Sequence, residues 1–149
     1  MMMKVADVMS RSVELADPNQ TICDVATAMA QKDLGYFPVG EKGRLVGAIT
    51  DRDIVTRCVA AGKDGTARVR DVMTKDVKYC FDDEDLDHVV ANMGENKLRR
   101  MPVVDRDKRL VGVVALADAA QDFSIADAGA ALSKVASPGG PHAGDKKGR

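Results

Sequence analysis

The sequence predicts an α/β (α+β) chain in which one β-α-β-β-α unit is used twice and packed with pseudo-two-fold symmetry. Three observations predict it. V-A-D-V-M-S-R-S-V from Val5 recurs as V-R-D-V-M-T-K-D-V from Val69, an offset of 64 (69 minus 5). Ile22, Val25, Ala26 and Met29, like Leu86, Val89, Val90 and Met93, recur at i, i+3, i+4 and i+7, one apolar stripe of a helix. β-prone runs at residues 36–39 and 44–50 flank the turn E-K-G at 41–43 and read as a hairpin.

The repeat places the elements along the chain. At the same offset Val25 matches Val89, Met29 matches Met93, Leu34 matches Leu98, and Pro38-Val39 matches Pro102-Val103. One extra residue then makes the offset 65 (109 minus 44), R-L-V-G at Arg44 matches R-L-V-G at Arg109, and Asp53 falls on Asp118. Residues 13–15 form a short first strand. Thr21 with Asp24 three residues on is a helix start, and Asp85 holds the matching cap position. A second helix covers residues 51–61, a glycine-containing linker covers 61–68, and the order repeats. Half-units of about 55 residues bury too little apolar surface to stand alone, so the two are expected to share a core. The organisation is thus 1–66 for the first motif and 67–123 for the second. Residues 124–136 form a C-terminal helix, 137–149 a disordered tail with no apolar face, and Met1 to Met3 a loose start.

Composition narrows the class. No run approaches the 18 or more apolar residues of a spanning helix, and the N-terminus lacks the apolar region of a secretory signal, so the expected address is cytoplasmic. Cys23, Cys58 and Cys80 lie in apolar-periodic segments and read as small buried hydrophobes rather than a disulfide set or zinc site. A formal charge of -1 and only five aromatic residues, two Tyr and three Phe, argue against nucleic acid as a partner.

A doubled unit carrying D-V-M-[ST], an apolar residue before P-V, and R-L-V-G followed six residues later by Asp closely resembles the CBS domain family, two units together forming a Bateman module. The resemblance covers roughly residues 4–123. It implies two clefts between the units, pairing of modules into homodimers, and binding of an adenosine-containing ligand that is reported to a regulated protein. AMP, ADP or ATP are the foremost ligands; NAD and S-adenosylmethionine are others. With no attached catalytic or membrane domain in these 149 residues, the chain resembles the small free-standing bacterial members.

The family's ligand signature reads here as G-A-I-T-D-R-D from Gly47. Gly47 would let the backbone approach a ligand, and Thr50 and Asp53 come together across one turn of helix. A carboxylate accepts two hydrogen bonds at once, so Asp53 suits a ribose 2',3'-diol, while first-turn N–H groups and the Thr50 hydroxyl suit phosphate. An aspartate that only favours a helix N-terminus would look the same in sequence. Arg52 could meet phosphate or stand in solvent. In nucleotide-binding relatives, basic residues before the P-V strand of the opposite unit reach the phosphates, which points to Arg99 and Arg100, with the adenine against the strand beginning at Asp76 and Val77. A second, weaker cleft would use Ala115 and Asp118 with Gly35 and Tyr36; it lacks the threonine and both arginines.

The acidic run at residues 82–87 suits a helix N-terminus better than a divalent metal. His88 and His142 are the only histidines and form no triad or metal cluster, and Met29 and Met93 read as core. The sequence therefore predicts a non-enzymatic adenine-nucleotide sensor. The alternative is a CBS dimerisation or interaction module that binds no ligand.

Overall fold

Thr21 begins the first helix as its spacing predicts: its Oγ1 accepts a hydrogen bond from the Asp24 N–H at 3.1 Å, and α1 runs Ile22–Lys32 with Ile22, Val25 and Met29 buried. Ala26, although in step with that stripe, is exposed. The hairpin forms from β1, Tyr36–Glu41, and β2, Arg44–Thr50, antiparallel with Tyr36 opposite Thr50 and a bulge at Val39/Gly40. Lys42 and Gly43 turn it with positive φ, which glycine adopts without strain. The helix expected at 51–61 starts as α2, Asp51–Asp53, and continues through a π-helical stretch, Ile54–Val59. It ends before Gly62, whose φ is +81°.

The later elements are α3 at Val69–Val72, β3 at Cys80–Phe81, α4 at Leu86–Glu95, β4 at Arg100–Val104, β5 at Leu110–Ala115, α5 at Leu116–Asp122 and α6 at Ile125–Ala136. The computed structural model describes residues 3–122 and 125–137. The tail expected to be disordered lies, from residue 138 onward, outside the described residues.

The predicted strand at 13–15 does not form. A single parallel bridge, Ala16 to Val39, stands in its place, with Ala16 N–H donating to the Pro38 carbonyl and Gly40 N–H to the Ala16 carbonyl, each at 2.9 Å. A turn cuts it short: Gln20 N–H returns to the Asp17 carbonyl at 3.0 Å, and Pro18 has no N–H for a ladder. At the same offset in the second repeat, β3 pairs parallel with β4, Cys80 opposite Val103 and Phe81 opposite Val104, and the sheet order is β3-β4-β5.

The chain folds as two compact units, and neither is one sequence repeat. One comprises Val13–Lys78 with Lys108–Leu110; the other comprises the described residues up to Ser12, Tyr79–Asp107 and the described residues from Val111 on. In the first, Val69, Val72 and Met73 of the second repeat pack with Val25, Phe37, Val39 and Ile49. In the second, Val5, Val8 and Met9 of the first repeat pack with Leu86, Val90, Met93 and Met101. The expected single shared core is thus two cores, each built from both repeats by exchange of the V-x-D-V-M segments.

Two further expectations are corrected. Met3 is not loose: its carbonyl accepts from the Leu86 N–H at 2.8 Å and it packs against the core. Cys58 and Cys80 are buried, but Cys23 is exposed because it falls on the outer face of α1. Met29 and Met93 are buried as expected.

Candidate functional site

The exchanged segments explain the glycine of G-A-I-T-D-R-D. Ala48 and Thr74 form an antiparallel bridge, with Ala48 N–H to the Thr74 carbonyl at 3.0 Å and Thr74 N–H to the Ala48 carbonyl at 2.8 Å. A Cβ on Gly47 would stand 2.7 Å from the Thr74 carbonyl oxygen and 2.9 Å from the Met73 sulfur. The close approach that Gly47 permits is therefore to the chain's own backbone, where the sequence suggested a ligand. The other unit repeats the device: Ser10 bridges Val113, and a Cβ on Gly112 would stand 2.7 Å from the Ser10 carbonyl oxygen.

That bridge brings the chain from Met73 onward beside the end of β2, where α2 begins. Thr50 and Asp53 form a reciprocal capping box: Asp53 N–H donates to Thr50 Oγ1 and Thr50 N–H donates to Asp53 Oδ2, both at 3.1 Å. Asp53 is only 7% exposed, the one buried charged side chain among the described residues. Its carboxylate has two more partners in the same unit. Thr74 Oγ1 lies 3.3 Å from each oxygen, and Arg57 Nε lies 4.0 Å from Oδ1, while Arg57 Nη1 donates to the Met73 carbonyl at 3.0 Å.

A buried carboxylate with these partners is held in one orientation with acceptor capacity left over, since it offers about four lone-pair directions. Sequence reasoning missed Thr74 and Arg57. The hydroxyl at the end of both D-V-M-[ST] copies and the i, i+4 spacing of Asp53 and Arg57 were the available signals.

The other sequence-predicted residues divide between the units. Arg52, exposed, and Asp76 and Val77 belong with Thr50 and Asp53; Asp76 is exposed with φ +54° and Val77 is half-buried. Tyr36 also lies in this unit, half-buried and opposite Thr50 across the hairpin, and the Gly35 carbonyl beside it accepts from the Asp51 N–H at 3.0 Å.

Arg99, Arg100, Ala115 and Asp118 lie in the other unit. There the Arg99 carbonyl accepts from the Leu116 N–H at 3.0 Å, the counterpart of Gly35 and Asp51. Arg99 and Arg100 are exposed and Asp118 is half-buried at the start of α5. A cavity of about 390 Å³ opens beside the two arginines.

The acidic run serves local structure. Asp85 holds the cap position of α4 but makes no cap bond; its Oδ1 accepts from Lys4 Nζ at 2.7 Å. Asp83 accepts from Arg106 Nε at 2.8 Å and Nη2 at 2.6 Å, which lowers its pKa from the ordinary carboxylate value, and the Arg106 guanidinium lies 4.1 Å from the centre of the Phe81 ring. Among the described residues no three His, Cys, Asp or Glu side chains group as metal ligands. No helix among them is long and apolar enough to cross a membrane.

Comparison with known proteins adds a lineage to this geometry. The family model described as CBS domain matches residues 5–60 and again 69–124. The chain is 39% identical over 135 residues to the CBS domain-containing protein YhcV of Bacillus subtilis, a match covering 90% of this chain and 96% of that one. Its structure is similar to a conserved CBS domain protein, TA0289, of Thermoplasma acidophilum, with TM-score 0.78 and 30% identity over 90% of this chain and 76% of that one. It is similar also to the CBS domain pair of protein MJ0100, crystallised with 5'-methylthioadenosine and S-adenosyl-L-methionine, with TM-score 0.72 and 28% identity over 85% of this chain and 99% of that one.

Proposed function

The chain belongs to the CBS domain family, with two copies of the domain in tandem, and we propose that it is a regulatory protein that binds an adenosine-containing ligand at Thr50 and Asp53. The observation carrying this reading is the buried, oriented carboxylate of Asp53, held by Thr50, Thr74 and Arg57 with lone pairs to spare. A ribose diol is a matched donor pair for it, and hydrogen bonds to a charged acceptor contribute about 1.5–3 kcal/mol each. The ligands held by the similar MJ0100 pair are both adenosine derivatives, which supports the same class here. Arg52, Arg99 and Arg100 supply charge suited to phosphate, Asp76 and Val77 backbone groups suited to a base edge, and Tyr36 and Asp118 the weaker second cleft. This reading makes AMP, ADP or ATP the first candidates, followed by NAD and S-adenosylmethionine. It includes homodimer formation and a regulated partner, and assigns no catalytic step.

A melting screen with those five ligands tests it, because a ligand of the folded state raises stability as RT ln(1 + [L]/Kd). At least one should raise the wild-type Tm, and Asp53→Ala should lose most of that rise. The reading fails if no ligand shifts the wild type or if Asp53→Ala responds equally. One observation favours the alternative of a module that binds no ligand: the partners of Asp53 already form a self-sufficient cap. A wild type that responds to nothing while Asp53→Ala melts lower would establish that alternative.

A further inference from the structure

We propose that the unit containing α6 binds a small amphiphilic anion, a carboxylate on an apolar body, in the cavity beside Arg99 and Arg100. The cavity, about 390 Å³, lies in the range of about 300–1,000 Å³ that small-ligand pockets occupy. Its two sides differ in chemistry. One presents Arg99 and Arg100; the other presents Leu116 of α5 and Ile125, Ala128 and Leu132 of α6.

Among the described residues the charged side has no internal counterpart. Arg57 and Arg106 each pair with an aspartate, whereas neither Arg99 nor Arg100 has a side-chain hydrogen bond or ion pair among the described residues. Two adjacent guanidinium forks suit a carboxylate. The apolar side is likewise unfilled: Ile125 is 79% exposed and Leu132 41%, large apolar side chains that gain by leaving water. A polyphosphate would leave that wall wet, and a neutral apolar molecule would leave the guanidiniums without a counter-ion. An amphiphilic anion satisfies both sides.

The wall is anchored. The backbone of α6 meets α4 closely at Gly94, where a Cβ would stand 2.9 Å from Ala131 Cα, and Lys134 pairs with Glu95 while Lys97 Nζ donates to the Lys134 carbonyl at 3.0 Å. α6 begins after the residues matched by the family model, so the apolar wall is this chain's own addition, set against arginines and an α5 that belong to the repeated unit.

Octanoate is the probe, with octanol and octylamine as controls, measured by calorimetric titration of the full chain. Octanoate should bind saturably, and both controls at least tenfold more weakly. Gly129 lines the cavity and a Cβ there meets nothing within 4 Å, so Gly129→Phe should fill the space and abolish octanoate binding without disturbing the helix. Leu132→Glu, which puts a carboxylate on the wall, should weaken octanoate at least tenfold and serves if the Phe variant folds poorly. The proposal is overturned if octylamine binds as well as octanoate, or if a folded Gly129→Phe or Leu132→Glu binds octanoate like wild type. It is overturned also if octanoate does not bind and Gly129→Phe converts a dimer to a monomer in sedimentation, since a second copy would then be the occupant. Arg99 and Arg100 are shared with the phosphate contacts proposed above, but the adenosine reading is judged with other ligands and at Asp53, so either can fail alone.

Discussion

The hydroxyl of Thr74 lies 3.3 Å from both carboxylate oxygens of Asp53, joining the last residue of one repeat's D-V-M-T segment to the G-A-I-T-D-R-D segment of the other. Asp53 is 7% exposed, so its carboxylate depends on protein donors to replace water. Replacing Thr74 by Val removes one donor and keeps the shape. Thr74→Val should cost about 1 kcal/mol in urea unfolding and Thr74→Ser much less. On the proposed function, Thr74→Val also weakens the adenosine ligand, because the carboxylate is less firmly aimed. Equal stability of Thr74→Val and wild type would show that the hydroxyl contributes no hydrogen bond.

Gly47 and Gly112 each lie under a carbonyl of an exchanged segment, and a Cβ at either would approach it to 2.7 Å. Backbone cannot give way as a flexible side chain does, so Gly47→Ala and Gly112→Ala should each destabilise by about 1–3 kcal/mol. Gly129→Ala is the contrast: its Cβ meets nothing and it sits inside α6, where alanine is preferred to glycine by up to about 1 kcal/mol. Denaturant midpoints should therefore move down for the first two and up for the third. A Gly47→Ala midpoint equal to wild type would remove the steric account of the signature glycine.

The sequence made legible what is local or repeated. The helix stripes, the 36–50 hairpin and the pairing of Thr50 with Asp53 follow from spacing within a few residues, and the two copies corroborate each other. The repeat also marks the two V-x-D-V-M segments, but a repeated motif does not say against which partner its valines pack. Their exchange between cores was accordingly invisible, and with it the reason for Gly47. The strand expected at 13–15 failed because β-propensity there is outweighed by the turn Asp17 and Pro18 impose. Thr74 was missed because the hydroxyl that ends both D-V-M-[ST] copies marks the position without naming its partner, a carboxylate 21 residues away.

The two helix starts that matched in the repeat differ in chemistry. Thr21 Oγ1 accepts the Asp24 N–H, while the Asp85 carboxylate turns to Lys4 and makes no cap bond. Thr21→Ala should cost about 1 kcal/mol. Asp85→Ala removes an ion pair whose two side chains are 34% and 52% exposed, where solvent screens most of the attraction, so it should cost less than Thr21→Ala. High salt should shrink the Asp85→Ala difference and leave the Thr21→Ala difference intact. If both variants lose the same stability at low and high salt, the two caps act alike.

Cys80 sets the behaviour at alkaline pH. It is 3% exposed, and burial, reinforced by the Glu84 and Asp82 carboxylates, pushes its thiol up from 9.0 to about 12. In the unfolded chain the thiol ionises near its ordinary value, while in the folded chain it stays protonated. Above that value the unfolded state binds fewer protons, so folding stability present at neutral pH declines as pH rises toward about 12. The slope from this one group approaches about 1.4 kcal/mol per pH unit. Cys80→Ala should be less stable than wild type at pH 7 and lose less between pH 8 and about pH 10.5 when both are followed by urea unfolding. The same burial protects the sulfur, so a thiol reagent should modify exposed Cys23 rapidly and Cys80 only at the rate of unfolding. A Cys80 that labels as fast as Cys23 in the native protein, or equal pH slopes in wild type and Cys80→Ala, would place the thiol in water.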